Sequence, residues 1–233
     1  MSTVERSIED VLASTALFET VEASTIADLA RASRSWTLRR NDLLLTVGDG
    51  AAAMHVVDSG TLRVFTSSAE GLEPTLALIY GGETVGELGV LEDLPRSASV
   101  AAVERTRVVE VPARAFRVAY DTDPAIARRM VPMLARRLRT VTDGLADLAY
   151  LDLGGRLAKF LVRESERHGR STFRMSLTQA ELGQLLGGAR QTVNQVGRSL
   201  ERDGLIALDG RTVRILDEHG LRARAMSSGG RFE

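Results

Sequence analysis

Seven short runs rich in β-branched and aliphatic residues, crowded between positions 35 and 112 and parted by turn formers, constrain this chain more than any other feature. They are Thr37-Leu38, Leu43 to Val47, Met54 to Val57, Thr61 to Phe65, Thr75 to Tyr80, Ser99 to Val103 and Arg107 to Val111. Between several of them lie Gly48-Asp49-Gly50, Asp58-Ser59-Gly60, Glu70-Gly71 and Gly81-Gly82. Runs of this length and spacing predict an antiparallel barrel or sandwich. Upstream, Leu12, Leu17, Phe18, Val21, Ile26 and Leu29 recur at helical spacing, which predicts one or two short helices over Val11 to Ala32. Downstream, Pro124 opens a helical stretch at a position where its missing N–H costs little. Ile126, Met130, Met133, Leu134, Leu138, Val141, Leu145 and Leu148 then form a narrow apolar stripe over about seven turns. Such a seam fits a dimer coiled coil or packing on the chain's own barrel, and Pro132 is expected to kink it. The fold class expected is α+β.

With 233 residues the chain has room for two domains. It contains no cysteine, which excludes disulfides, thiolate metal sites and cysteine-held iron–sulfur clusters. No apolar run approaches the roughly 20 residues of a membrane span, and the acidic, polar start does not read as a secretory signal, so a cytoplasmic protein without a membrane partner is expected. The net charge of −1 conceals an asymmetry. Residues 1–153 carry 16 basic and 22 acidic side chains, whereas 154–233 carry 14 and 9. A basic C-terminal module predicts a polyanionic partner, with nucleic acid first.

Two local constellations give these modules chemistry. In Gly86-Glu87-Leu88-Gly89 and Pro95-Arg96-Ser97-Ala98, one carboxylate and one guanidinium flank a glycine-marked turn. Arginine's planar fork, helped by the Ser97 hydroxyl, suits phosphate oxygens, and Glu87 can accept from a ribose hydroxyl. A structural Glu87–Arg96 ion pair is the alternative reading. In the second constellation, Thr178-Gln179-Ala180-Glu181 is a capping box opening a short helix that carries Leu182, Leu185 and Leu186 inward and ends at Gly187-Gly188. A second helix follows, from Ala189 or Arg190 to about Asp203. The tight glycine joint predicts a helix-turn-helix, with Arg190, Gln191, Thr192, Asn194 and Gln195 clustered where such helices meet DNA, and with Gln179 at the first helix start. Arginine can read guanine, glutamine or asparagine adenine, and Thr192 can bond a phosphate. Leu205 to Leu208 and Thr212 to Ile215 flank Asp209-Gly210, a hairpin signal read as a wing that presents Gly210 and Arg211.

This order of parts resembles the cyclic AMP receptor protein family of bacterial regulators, CRP/FNR, over about residues 8–217. The resemblance rests on Gly86-Glu87-Leu88 with Pro95 to Ala98, on Asp147 to Asp152 with Gly155-Arg156-Leu157-Ala158, and on Thr178 through Asn194. It implies a double-stranded β-helix or jelly-roll sensor barrel over 1–122, a long dimerisation helix over 123–153 and a winged helix-turn-helix over 154–217. The tail 218–233 is expected to be disordered. The resemblance also implies a transcriptional regulator with no covalently bound cofactor, whose effector is a cyclic nucleotide, cyclic AMP first. Glu87 would take the ribose 2′-hydroxyl, Arg96 and Ser97 the cyclic phosphate, and the Gly86 to Leu88 backbone the remaining oxygens. Val141 and Thr142 match the positions that meet the base, although Val141 can neither donate nor accept a hydrogen bond. The implied partners are double-stranded DNA with a two-fold operator, a second copy through residues 123–150, and RNA polymerase. The chain departs from the family at Ala189 and Gln191, where members often have Ser and Glu, so its operator is expected to differ. A same-family regulator that needs no effector, or senses another small ligand, is the alternative. Catalysis is not expected: His55, His168 and His219 are the only histidines, and none lies in a nucleophile, metal or phosphate-loop motif. As a strand residue, His55 reads as structural rather than as a haem ligand.

Overall fold

A computed structural model describes residues 6–68 and 71–226. Its contacts divide the chain into two units, Met1–Leu138 and Arg139–Glu233, and the long helix is shared between them.

In the first unit, α1 (Ile8–Ala13) and α2 (Ala23–Ala32) precede the strands β1 (Arg34–Leu38), β2 (Leu43–Leu45), β3 (Ala53–Ser59), β4 (Thr61–Phe65), β5 (Thr75–Tyr80) and β6 (Thr84–Val85). Then come α3 (Glu87–Glu92), β7 (Ser99–Ala102), β8 (Thr106–Pro112), α4 (Ala113–Thr122) and the start of α5 (Pro124–Tyr150). The strands form two antiparallel four-stranded sheets, ordered β1-β8-β3-β6 and β2-β7-β4-β5. Period-two alternation divides their side chains between two cores. Leu38, Val57, Leu62, Ile79, Val100 and Val108 fill the space between the sheets. Met54, Val56, Val109 and Val111 point the other way, packing with Phe18, Leu29, Phe116, Ile126 and Met130 of the helices. Strand β3 is thus buried on both faces, so Met54 to Val57, His55 included, are all buried and show no in–out alternation.

Three elements of this unit lie outside the sequence reading. Strand β6 is only two residues long. Residues 87–92, read as part of a turn, wind into α3 after Gly86 reverses the chain at φ +84°. Residues 113–122, where strand texture simply ends, form α4 and bury Phe116 and Ala119. Helix α5 continues through Pro132, which lies inside it. Ile126 and Met130 are buried against the first unit, whereas Leu138, Val141, Leu145 and Leu148 are 68, 52, 64 and 53% exposed.

The second unit begins within α5 and continues through α6 (Leu153–His168), β9 (Thr172–Arg174), α7 (Gln179–Leu186), α8 (Arg190–Arg202), β10 (Ile206–Asp209), β11 (Thr212–Ile215) and α9 (Glu218–Met226). The strands make a small antiparallel sheet ordered β10-β11-β9, with Phe173, Ile206 and Val213 buried. Here the expectation of a disordered tail from residue 218 is corrected. Residues 218–226 form α9, anchored by fully buried Leu221 and by two long-range ion pairs to α6 and its cap. Arg222 pairs with Glu166 at 2.7 Å, and Arg224 Nη2 reaches both Asp152 oxygens at 2.8 and 2.7 Å. Asp152 also caps α6 by accepting from the Gly155 N–H at 2.7 Å. Burial alone would raise the Asp152 pKa, but these hydrogen bonds and the nearby guanidinium charges outweigh it and hold the carboxyl below its ordinary value. Residues 227–233 lie outside the described residues.

Candidate nucleotide site and DNA interface

The cassette formed by Gly86 to Gly89 and Pro95 to Ala98 is built around a buried guanidinium, that of Arg96. The Gly48–Asp49 turn and the residue before Ser97 exchange backbone hydrogen bonds, Arg96 N–H donating to Asp49 O at 2.8 Å and Gly48 N–H to Arg96 O at 2.9 Å. This pins the Arg96 backbone, and the side chain then runs inward at 6% exposure. Its Nη1 donates to Gly86 O at 2.7 Å and its Nη2 to Ala53 O. Glycine is required at 86 twice over: the left-handed φ excludes most side chains, and a Cβ there would stand 2.7 Å from Arg96 Nη1. Burial lowers the Arg96 pKa from its ordinary value, against the opposing pull of the Glu87 and Asp49 carboxylates.

Glu87, 1% exposed, does not form the expected alternative pair with Arg96. Its Oε1 instead accepts from Arg137 Nη1, while Arg137 Nη2 donates to Thr84 O. The other carboxylate oxygen, Oε2, is buried without a hydrogen-bond partner. A buried unsatisfied acceptor costs about 1 to 3 kcal/mol, so this atom is suited to an incoming hydroxyl. Ser97 is exposed, and its hydroxyl has no partner among the described residues. Leu88 is 43% exposed, on the first turn of α3. Gly86, Glu87, Leu88, Arg96 and Ser97 all lie in the first unit, whereas Val141 and Thr142 are exposed residues of α5 within the second. Arg137 escaped the sequence reading. Its position four residues after Met133, which packs against the first unit's core, was the available signal.

In the second unit the helix-turn-helix has the expected chemistry at its joint. Thr178 accepts from the Glu181 N–H at 3.2 Å, and Glu181 accepts from the Thr178 N–H at 2.6 Å, completing the capping box. Gly187 ends α7 in the left-handed conformation. Gly188 N–H donates to Gly183 O at 2.9 Å, and a Cβ on Gly183 would meet Gly188 O at 2.4 Å. The turn therefore crosses α7 where no side chain fits. Helix α8 buries Val193, Gly197 and Leu200 and exposes Arg190, Gln191, Thr192 and Gln195, with Asn194 half-buried. Ala189 stands at its N-cap without a side-chain hydrogen bond, which leaves first-turn N–H groups available to an anion. Gln179 is exposed at the start of α7. Two details of the wing differ from expectation. Asp209 pairs with Thr212, so the loop residues are Gly210 and Arg211, with Gly210 at φ +58°. Arg211 is turned inward, its Nε donating to Met175 O at 3.1 Å and its Nη2 to Ser176 O.

No described helix is long and apolar enough to cross a membrane, and no group of His, Asp and Glu among the described residues could hold a metal ion.

Residues 35–123 match the cyclic nucleotide-binding domain model, and residues 155–224 match the Crp-like helix-turn-helix domain model. A sensor barrel followed by that DNA-binding domain defines a transcriptional regulator, not an enzyme. The CRP-like cAMP-activated global transcriptional regulator of Mycobacterium tuberculosis is 30% identical over 223 residues, covering 94% of this chain and 100% of that protein. The cAMP-activated global transcriptional regulator CRP of Salmonella typhimurium is 31% identical over 175 residues, covering 73% and 83%. The chain belongs to the CRP/FNR family. Among solved structures, FixK2 from Bradyrhizobium japonicum superposes with a TM-score of 0.78 at 19% identity, covering 84% of this chain and 99% of that one. The global regulator CLP of Xanthomonas campestris gives 0.71 at 24%, covering 83% and 99%. At these identities the superpositions establish the shared fold.

Proposed function

We propose that this regulator is a homodimer whose affinity for a two-fold DNA operator is set by a cyclic nucleotide, cyclic AMP first, bound in the barrel of residues 1–122. One observation carries the reading: buried Glu87 keeps Oε2 unpartnered, in the same cassette as a buried guanidinium. Glu87 takes the ribose hydroxyl, Arg96 and Ser97 take the cyclic phosphate, and the Gly86 to Leu88 backbone the remaining oxygens. Arg96 retains its Nε hydrogen and one hydrogen on each terminal nitrogen for the anion. The names of the Mycobacterium and Salmonella relatives support cyclic AMP. Thr142 is left to meet the base, because Val141 has no polar atom.

In the DNA module, residues 154–217 together with α9, Arg190 reads guanine, Gln191, Asn194 and Gln195 read other base edges, and Thr192, Gln179 and the Gly210–Arg211 turn meet the backbone. RNA polymerase is the further partner of such a regulator. The exposed α5 stripe supports residues 123–150 as the seam between copies, since burying side chains of this size stabilises by about 1.5 to 3 kcal/mol each. Light scattering is expected to give twice the 25.2 kDa chain mass for the wild type and a single chain mass for Leu145→Glu. A wild-type monomer at micromolar concentration contradicts the seam.

The functional test is titration with cyclic AMP and cyclic GMP, followed by calorimetry and by binding to a duplex selected from a random-sequence library. Cyclic AMP is expected to raise DNA affinity at least tenfold. Neither heat nor a change in DNA binding with either nucleotide overturns the effector assignment. That outcome favours a same-family regulator that is effector-independent or senses another ligand, a reading to which the Arg137–Glu87 pair and the apolar Val141 side chain lend support.

A further inference from the structure

The wing carries its available positive charge in an unexpected place. Arg211, at the turn, gives two of its donors to the Met175 and Ser176 carbonyls. The strand register puts other cations on the open face of the same sheet. Arg214 stands opposite Thr172 on β9 and opposite Ala207 on β10, while Thr212 stands opposite Arg174 and Asp209. Directly opposed residues of antiparallel strands share a face, so these six side chains line one side of the sheet. Phe173, Val213 and Ile206 are buried on the other. Arg174 and Arg214 are both exposed, and neither has a hydrogen-bond or ion-pair partner among the described residues. They sit on a diagonal of about 7 Å, where like charges repel. Asp209 is the one acidic member of the face, and it pairs with neither arginine.

We propose that this face of β9 and β11, through Arg174 and Arg214 with the hydroxyls of Thr172 and Thr212, binds the phosphate backbone of duplex DNA flanking the operator core. The inference rests on the winged-helix reading above and adds a contact surface beyond the recognition helix and the wing turn. Duplex DNA is favoured over an acidic protein for two reasons. The patch starts beside the turn, with Arg174 opposite the first residue of β11, and runs away from it by one strand repeat of about 7 Å. Alternating guanidinium and hydroxyl donors also suit phosphate oxygens, whereas a protein partner would want a large apolar anchor, and Ala207 is the only apolar member of the six.

The test uses the full chain, a 40-base-pair duplex carrying a two-fold site selected from a random library, and the 20-base-pair core of that site. Arg174→Ala/Arg214→Ala is expected to weaken binding to the long duplex at least tenfold and to leave the short one within twofold. On the long duplex, the slope of log affinity against log salt should fall by about 0.9 per lost phosphate contact, hence by about 1.8 per protomer. Arg214→Glu should weaken the long duplex further. Both side chains are exposed and unpaired, so an unchanged thermal midpoint verifies that each variant is folded. Unchanged affinity and salt slope on the long duplex overturn the proposal while leaving the winged-helix reading intact. Equal loss on both duplexes overturns the flanking placement. Failure of the wild type to select or bind any duplex overturns both readings.

Discussion

Arg96→Ala is expected to lower cyclic nucleotide affinity at least 100-fold, a loss of about 3 kcal/mol, measured by calorimetry. The magnitude follows from removing a charge-assisted fork that no neighbour replaces. The same substitution also strips partners from Gly86 O and Ala53 O, at roughly 1 to 3 kcal/mol for each carbonyl left dry. The first unit should therefore unfold at lower temperature even without ligand. Arg96→Lys restores the charge without the fork, so its affinity should fall between the two. Ser97→Ala separates binding from stability: its exposed hydroxyl has no described partner, so affinity should drop about tenfold while the midpoint stays fixed. Wild-type affinity in Arg96→Ala would show that the guanidinium serves only the two carbonyls.

The strands, the α5 stripe and the helix-turn-helix were legible because each is announced within a few residues. Period-two runs between turn formers, the Thr178–Glu181 box and the Gly187 stop are local signals with local causes. What escaped the sequence depends on partners far along the chain. Arg137 finds Glu87 fifty residues upstream, and only its place four residues after Met133 sets it apart from the other arginines of its helix. Helix α9 is the clearest case. The Ser227-Ser228-Gly229-Gly230 run makes the whole stretch from Glu218 read as a tail, and only Leu221 of α9 is buried. Its order depends on Arg222 reaching Glu166 and Arg224 reaching Asp152, partners separated by 56 and 72 residues. Arg211 shows a related effect: it stands at the wing turn, yet its Nε and Nη2 are engaged by the Met175 and Ser176 carbonyls, so part of its donor set holds the start of β11 to the approach of α7. Local pattern predicts where a charge sits, and tertiary packing decides whether it is spent internally.

Two helical glycines of the second unit should respond to the same substitution with opposite signs. Gly144 lies in α5 with nothing within 4 Å of where a Cβ would stand. Gly144→Ala should therefore stabilise that helix by about 1 kcal/mol, the difference in helix propensity between the two residues. Gly183 lies in α7, and the added methyl would stand 2.4 Å from Gly188 O, a backbone atom fixed by its place in the turn. Relieving that contact requires α7 and the turn to separate, and overpacking of this kind costs about 1 to 3 kcal/mol. For a unit of this size the thermal midpoint should fall by roughly 4 to 8 °C per kcal/mol. Because the turn sets the angle at which α8 is presented, Gly183→Ala should also lose operator binding at least 100-fold, with cyclic nucleotide affinity unchanged in the first unit. A midpoint that rises in both variants would mean that the close crossing of the turn over α7 relaxes without cost. If it falls only in Gly183→Ala, the glycine is there because the helix-turn-helix has no space for a β-carbon.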